Sequence, residues 1–276
     1  MSKYVARREL QDFLLGAAAT YGTLWLAVES ISAFFVSLKP AGVAWYSALL
    51  ALAALGGAWR ASPTRRIEFP IPGSDSAFEI RFGNVFDGTG VVVIPVNEYF
   101  DGELGDHVSA KSLHGQFIKD ILAGQSRTFI DLTTESLATV PPEESDVPRS
   151  SGRRDKFPIG TVARVDFNGR RYLLVALSRT DLLSLKASAT VHDLWTCLAG
   201  LWQGVRAYSN GQPVAIPLLG SGLSGTGLPP GNLIEIMITS FLCHTKERKV
   251  ADSVTLVLPR RLVGSLDLNS IKRSWT

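Results

Sequence analysis

The sequence predicts a three-layer α/β/α domain preceded by a two-helix transmembrane hairpin, and three observations predict it. The first sixty of the 276 residues hold two long apolar segments almost free of charge. From Ile67 onward, strand-like runs alternate with helical patterns. Several of those runs are wholly apolar, as strands are when a sheet is covered on both faces. Charge divides the chain at the same place: Met1 to Arg66 carry seven Lys/Arg against three Asp/Glu, and Ile67 to Thr276 carry 21 against 22. The whole-chain formal charge of +3 describes neither part.

The hairpin comes first. Between Asp12 and Lys39 the one side chain charged at neutral pH is Glu29, and between Lys39 and Arg60 there is none. The expected spans are 13–38 and 41–59. Nineteen helical residues reach about 28 Å at 1.5 Å each, close to the ~30 Å hydrocarbon core. Lys39-Pro40-Ala41-Gly42 is a turn too short for anything but antiparallel helices, and a cleaved signal peptide would show one short apolar region instead. Lys3, Arg7 and Arg8 precede the first span and Arg60, Arg65 and Arg66 follow the second. The positive-inside rule then places both termini in the cytoplasm. Glu29 lies deep in the first span, where a charge costs roughly 2.5 to 3.5 kcal/mol. Two readings stay open for it: contact with a partner helix or lumen of an oligomer, or a protonated carboxyl tolerated near one interface.

Residues 67–276 form the second expected domain, long enough for a single core. Strands are expected at Ala77–Phe82, Val91–Val96, Thr161–Phe167, Arg171–Leu177, Pro213–Leu219 and Ser253–Leu258, with helices at Ser112–Leu122, Ala189–Tyr208 and Leu228–His244. Val140–Pro158, rich in Pro, Ser, Glu and Arg, reads as a mobile loop or excursion. Two cysteines, Cys197 and Cys243, make no disulfide framework, and the scattered histidines give no zinc spacing, so no metal is expected. No Lys/Arg stripe with interleaved aromatics points to nucleic acid.

Gly220-Ser221-Gly222-Leu223-Ser224-Gly225 follows an apolar strand and leads into the helix expected near Leu228. Such glycines let backbone N–H groups approach phosphate oxygens at a helix N-terminus, or form a plain turn. No further βαβ repeats follow, which disfavours a dinucleotide fold, and no G-x-x-x-x-G-K-[ST] is present. A second cluster is the strand end at Asn97, followed by Ser112-Leu113-His114-Gly115 at a helix start. Asn97 suits a ribose hydroxyl or a loop backbone; His114 suits a ligand contact or helix packing.

These residues together resemble a known family. Phe82-Gly83-Asn84-Val85-Phe86, the strand ending in Val96-Asn97 and the late Pro217-Leu218-Leu219-Gly220-Ser221-Gly222 are similar to macro domains, which bind ADP-ribose and related nucleotides. Ile94-Pro95-Val96-Asn97-Glu98-Tyr99-Phe100-Asp101, Ser112-Leu113-His114-Gly115 and Pro217 to Ser224 resemble the macro domain of type II Thoeris antiphage effectors, which follows two membrane helices. The resemblance implies a three-layer α/β/α macro domain with a mixed central sheet. It implies a sensor of an ADP-ribose derivative, histidine-ADP-ribose, made by a TIR-domain partner enzyme. It further implies a homo-oligomer in the bacterial plasma membrane that disrupts the membrane in abortive infection. Asn84 and Val85 match the loop that greets adenine, Asn97 the residue near the distal ribose, and Ser221 to Gly225 the pyrophosphate loop.

Two departures accompany the resemblance. Asn84 stands where many macro domains carry an adenine-reading Asp. Phe100 and Gly102-Glu103-Leu104-Gly105-Asp106 replace the second Asn and the glycine run of the ADP-ribosyl hydrolases. With no matched acid/base pair, the expectation is binding without catalysis. The alternatives are a membrane-tethered ADP-ribosyl hydrolase using Asp106 or Asn97, and a passive anchored scaffold.

Overall fold

The computed structural model describes residues 3–34, 42–105, 107–149, 151–223 and 225–275. The chain divides into two compact units, Met1–Arg65 with Leu262–Ser270, and Arg66–Arg261 with Ile271–Thr276.

In the first unit, α1 (Lys3–Phe34) and α2 (Val43–Ala61) pack against each other. α2 buries only Leu49, Ala53 and Gly57, one residue per turn along a single seam, while Leu50, Leu55 and Trp59 stay exposed. The seam is close because it is built from small residues. A methyl group on Gly56 would collide with the Thr20 side chain, and one on Gly57 would stand 2.7 Å from the Phe13 carbonyl. Trp25 stacks on Tyr46 with ring centroids 6.2 Å apart. Contact positions rise along α1 as they fall along α2, so the helices are antiparallel. Among the described residues, Leu10–Phe34 is the stretch long and apolar enough to cross a membrane. α1 begins ten residues before the expected start at 13, because Lys3 to Asp12 include good helix formers that continue the helix. The expected end of the first span and most of the turn fall at 35–41, outside the described residues. Glu29 is exposed on α1.

The second unit is built on β1 (Arg66–Pro70), β2 (Ala77–Gly83), β3 (Val91–Asn97), β4 (Val162–Phe167), β5 (Arg170–Thr180), β6 (Ala187–Ser188), β7 (Val214–Pro217) and β8 (Ser253–Pro259). The strand order is β1-β2-β8-β7-β3-β5-β4, with β6 paired to the end of β5. β2, β8, β7, β3 and β5 run parallel; β1 and β4 close the edges antiparallel, so the sheet is mixed. Each of the six expected runs forms a strand. β7 is shorter than expected because Leu218 and Leu219 leave the sheet to reach a turn at Gly220, whose φ is +76°. β1 escapes a search for apolar runs: only Ile67 and Phe69 point inward, between exposed Arg66, Glu68 and Pro70.

Alternation along the strands loads both faces. Val92, Ile94 and Val96 join Tyr172 and Leu174 in a cluster with Phe117, Ile118 and Phe129. Those partners come from α3 (Leu113–Gln116) with its π-helical continuation Phe117–Ile121, and from α4 (Ser126–Leu137). α4 is not among the expected helices because its buried stripe, Phe129, Thr133 and Leu137, has a hydroxyl at its centre. The opposite face is covered by α5 (Val191–Tyr208) and α6 (Pro230–Glu247). There Trp202 meets Phe241 at 5.2 Å, Phe241 meets Phe78 at 5.3 Å, and the Trp202 indole N–H donates to Ser240 Oγ at 2.9 Å. Full burial of each such side chain contributes roughly 1.5 to 3 kcal/mol. α5 opens on a reciprocal cap between Thr190 and Asp193, the reason the helix starts two residues after the expected Ala189.

Candidate functional site

Five parallel strands that end on one edge of a sheet leave a crevice there, and this edge carries a cavity of about 1040 Å³. Strand order fixes its layout. Gly83 at the end of β2, Asn84 and Val85 beyond it and Pro259 of β8 line one end, Gly220 to Leu223 and Gly225 beyond β7 line the middle, and Asn97 of β3 and Ser178 of β5 line the other. At roughly 4.8 Å between strands the cavity runs across about 19 Å of sheet edge. Asn84, Val85, Asn97, Ser112, Leu113, His114, Gly220, Ser221, Gly222, Leu223 and Gly225 all line it. Ser224 and Asp106 lie outside the described residues, and Glu29 belongs to the other compact unit.

The loop in the middle closes on itself. Thr226 N donates to Gly220 O at 3.0 Å, Gly225 N to Gly222 O at 3.1 Å, and Ser221 Oγ to Leu218 O at 2.6 Å. The N–H groups of Gly222 and Leu223 have no acceptor among the described residues, which leaves them as donors for an anion. The expected helix N-terminus is not part of this wall: α6 begins at Pro230, past the last lining residue of the loop, Gly225. The helix opens on the proline pair at 229 and 230, so the backbone N–H groups that face this part of the cavity are the loop's own. Lys111, Lys186, Arg260 and Arg261 also line the cavity, against Asp87 as acid. Sequence reading misses this basic rim because its members come from three separate segments.

At the β2/β8 end, Asn84 Oδ1 accepts the Phe86 N–H at 3.1 Å, an Asx turn that fixes the amide orientation. Its Nδ2 is left without a partner among the described residues. Val85 turns its side chain into the core, so what it offers the cavity is backbone.

At the β3/β5 end the side chains are tied together. Phe100, at φ +52°, turns the chain so that the Asp101 N–H donates to Asn97 Oδ1 at 3.1 Å. Asn97 Nδ2 donates back to Asp101 Oδ2 at 2.8 Å. Of the two roles open to Asn97, the geometry therefore occupies it first as the holder of its own loop. Arg149 grips Asp101 with two parallel bonds, Nη1 to Oδ1 at 3.0 Å and Nη2 to Oδ2 at 2.9 Å, both side chains being fully buried. The excursion expected at Val140–Pro158 is thus bonded to the rest of the domain through Arg149 and Arg153. The sequence carries no sign of this pair, because Arg149 sits 48 residues away in a segment without periodicity.

Ser151, His107 and Asp101 stand in the order of a hydrolytic triad, with Oγ to Nε2 at 2.7 Å and Nδ1 to Oδ2 at 4.0 Å. Arg149 Nη2 decides their chemistry. It lies 3.3 Å from His107 Nδ1, and a guanidinium can only donate, so Nδ1 accepts and Nε2 carries the hydrogen. His107 then donates to Ser151 and has no lone pair with which to take its proton.

His114 packs on Phe129 with ring centroids 4.9 Å apart, and its helix is capped by Ser112 instead, whose Oγ accepts the Gly115 N–H at 3.0 Å. Burial pushes the imidazole down to about 4, opposed by Asp101, so the ring is neutral. Its Nε2 is buried without a partner among the described residues.

Comparison with known proteins agrees with this architecture. Residues 78–259 match the family model described as Thoeris protein ThsA, macro domain. The Thoeris protein ThsA of Bacillus amyloliquefaciens (strain Y2) is 28% identical over 190 residues, 66% of this chain, which spans 62% of that relative's length. A point mutant of the Oceanobacillus iheyensis macrodomain superposes with a TM-score of 0.53 at 15% identity, covering 76% of this chain and 98% of that one. The same macrodomain with ADP superposes with a TM-score of 0.52 at 15% identity, covering 76% and 96%. At such identity these two likenesses establish the macro-domain fold.

Proposed function

The chain belongs to the family of Thoeris ThsA macro domains, and on that premise we propose that it is a defence effector whose macro domain senses an ADP-ribose-derived signal. The observation that carries the reading is the cavity itself. Its volume of about 1040 Å³ is at the upper end of small-ligand sites, which run to roughly 1,000 Å³, and backbone donors without an acceptor among the described residues stand at its middle. A nucleoside diphosphate linked to a sugar fits that layout with its pyrophosphate on the Gly220 to Gly225 loop. The base then lies toward Asn84 and Val85, and the distal sugar toward Asn97 and His107. Histidine-ADP-ribose from a TIR-domain enzyme is the signal we assign, bound without turnover.

The domain at 67–276 faces the cytoplasm in this reading, and α1 and α2 form a hairpin in the bacterial plasma membrane with both termini cytoplasmic. Leu10–Phe34 supports the spanning part by length and composition. Exposed Glu29 on an apolar helix supports assembly into a homo-oligomer, where a second copy or a lumen satisfies the carboxyl. Signal binding drives that assembly, and the membrane is disrupted.

Calorimetry of the full-length chain in detergent, with ADP-ribose and with its histidine conjugate, tests the sensor. Saturable heat with the conjugate and intact ligand recovered afterwards are expected; no heat with either ligand overturns the reading. Gly222→Glu sharpens the test. A Cβ at Gly222 meets nothing within 4 Å, so the fold tolerates the change while a carboxylate occupies the anion site. Binding is expected to fall at least a hundredfold.

A further inference from the structure

We infer that Arg149 is a positioning residue for the β3/β5 end of the cavity: through Asp101 and His107 it fixes the wall that meets the distal part of a bound nucleotide. The inference rests on the sensor reading for its ligand, but its structural basis does not. Neither Arg149 nor Asp101 lines the cavity, whereas Asn97 and His107 both do, and both reach the Asp101–Arg149 pair. Each carboxylate oxygen of Asp101 has two donors. Oδ1 receives Arg149 Nη1 and, at 2.9 Å, the Arg153 N–H; Oδ2 receives Arg149 Nη2 and Asn97 Nδ2.

The approach is close enough to need glycine. Gly152 has φ +84°, and a Cβ there would stand 2.6 Å from Asp101 Oδ1. The Arg149 guanidinium also lies over the Tyr99 ring, 3.9 Å from its centroid. In the wall it supports, Gly105, His107 and Ser109 belong to no helix or strand; among the described residues Leu104 bridges Val108, Gly105 N donates to Val108 O at 3.0 Å, and Ser109 O accepts from Ser112. A wall outside any helix or strand takes its shape in part from what it is bonded to behind. Here that is a planar, bidentate cation whose Nη2 reaches both Asp101 Oδ2 and His107 Nδ1, which a lysine does not reproduce.

The test compares wild type with Arg149→Lys and with Asp101→Asn/Arg149→Leu, all as full-length chains in detergent. The double change removes both buried charges together, avoiding the collapse that one orphaned charge invites. Affinities for ADP and for ADP-ribose are measured alongside hydrogen–deuterium exchange in peptides covering 104–112. Both variants are expected to lose tenfold or more of ADP-ribose affinity relative to ADP, and to exchange at least tenfold faster in that segment. An unchanged ratio of the two affinities, or unchanged exchange at 104–112, overturns the inference. If wild type binds neither nucleotide the sensor reading fails, and exchange alone then decides whether Arg149 holds the wall.

Discussion

Replacing His114 by phenylalanine separates the acid sensitivity of the macro domain from its packing. The ring is 5% exposed and pressed against Phe129, and burial lowers its pKa to about 4. An unfolded chain takes up this proton near pH 6.5, the folded one not until about 4. Between those values the unfolded state binds more protons, so stability is lost as pH falls through the window and the loss ends below it. Integrating the shift gives on the order of 1 kcal/mol at pH 5.5 and 2 to 3 kcal/mol at pH 4.5. Phenylalanine keeps the contact with Phe129 and cannot titrate; losing the polar ring costs about 1 kcal/mol at neutral pH. The variant is therefore expected to be slightly less stable than wild type at pH 7.5 and more stable at pH 4.5. Urea unfolding of both full-length proteins in detergent, followed by tryptophan fluorescence from pH 7.5 to 4.5, reads this crossing. Parallel acid limbs would refute the claim that His114 is buried neutral.

Other consequences are local. Gly225→Ala places a Cβ 2.5 Å from the Gly220 carbonyl and is expected to lose ligand affinity through a distorted loop, whereas Gly222→Ala, with open space, is expected to keep a wild-type melting temperature; thermal unfolding with and without ADP-ribose distinguishes them. Ser240→Ala strands the buried Trp202 indole N–H and is expected to cost about 1 to 3 kcal/mol in urea unfolding with no change in nucleotide affinity. Gly56→Leu drives a side chain into Thr20 and is expected to abolish vesicle leakage by the full chain while nucleotide calorimetry stays at wild type.

What the sequence discloses and what it conceals follow one physical division. Val91 to Ile94 and Val254 to Val257 announce strands because a sheet covered on both faces needs uninterrupted apolar residues, and the loop announces itself through Gly220, at φ +76°, and Gly225, where a Cβ would stand 2.5 Å from the Gly220 carbonyl. β1 and α4 are quieter since each buries a single thin stripe, Ile67 with Phe69 in one and Phe129, Thr133 and Leu137 in the other. The Asp101–Arg149 pair is silent. Its partners belong to two irregular segments, and no local pattern encodes a contact whose geometry exists only after β3, α4 and the excursion have come together.

That silence matters for how the proposed sensor would work. In the proposed sensor, affinity at the middle of the cavity comes from the Gly222 and Leu223 N–H groups, which have no acceptor among the described residues and which any diphosphate could use. In the proposed sensor, discrimination comes from the ends, and the β3/β5 end is the one held by the buried Asp101–Arg149 ion pair. Moving a resting population from mostly inactive to mostly assembled takes a preference of about 5.5 kcal/mol. A distal group that adds tenfold in affinity for the assembled state supplies about 1.4 kcal/mol per site, so roughly four domains acting together reach the requirement. In the proposed effector, oligomerisation is the means by which a modest difference at each Arg149-braced wall would become a decisive switch, and a signal lacking the distal group would bind without moving it.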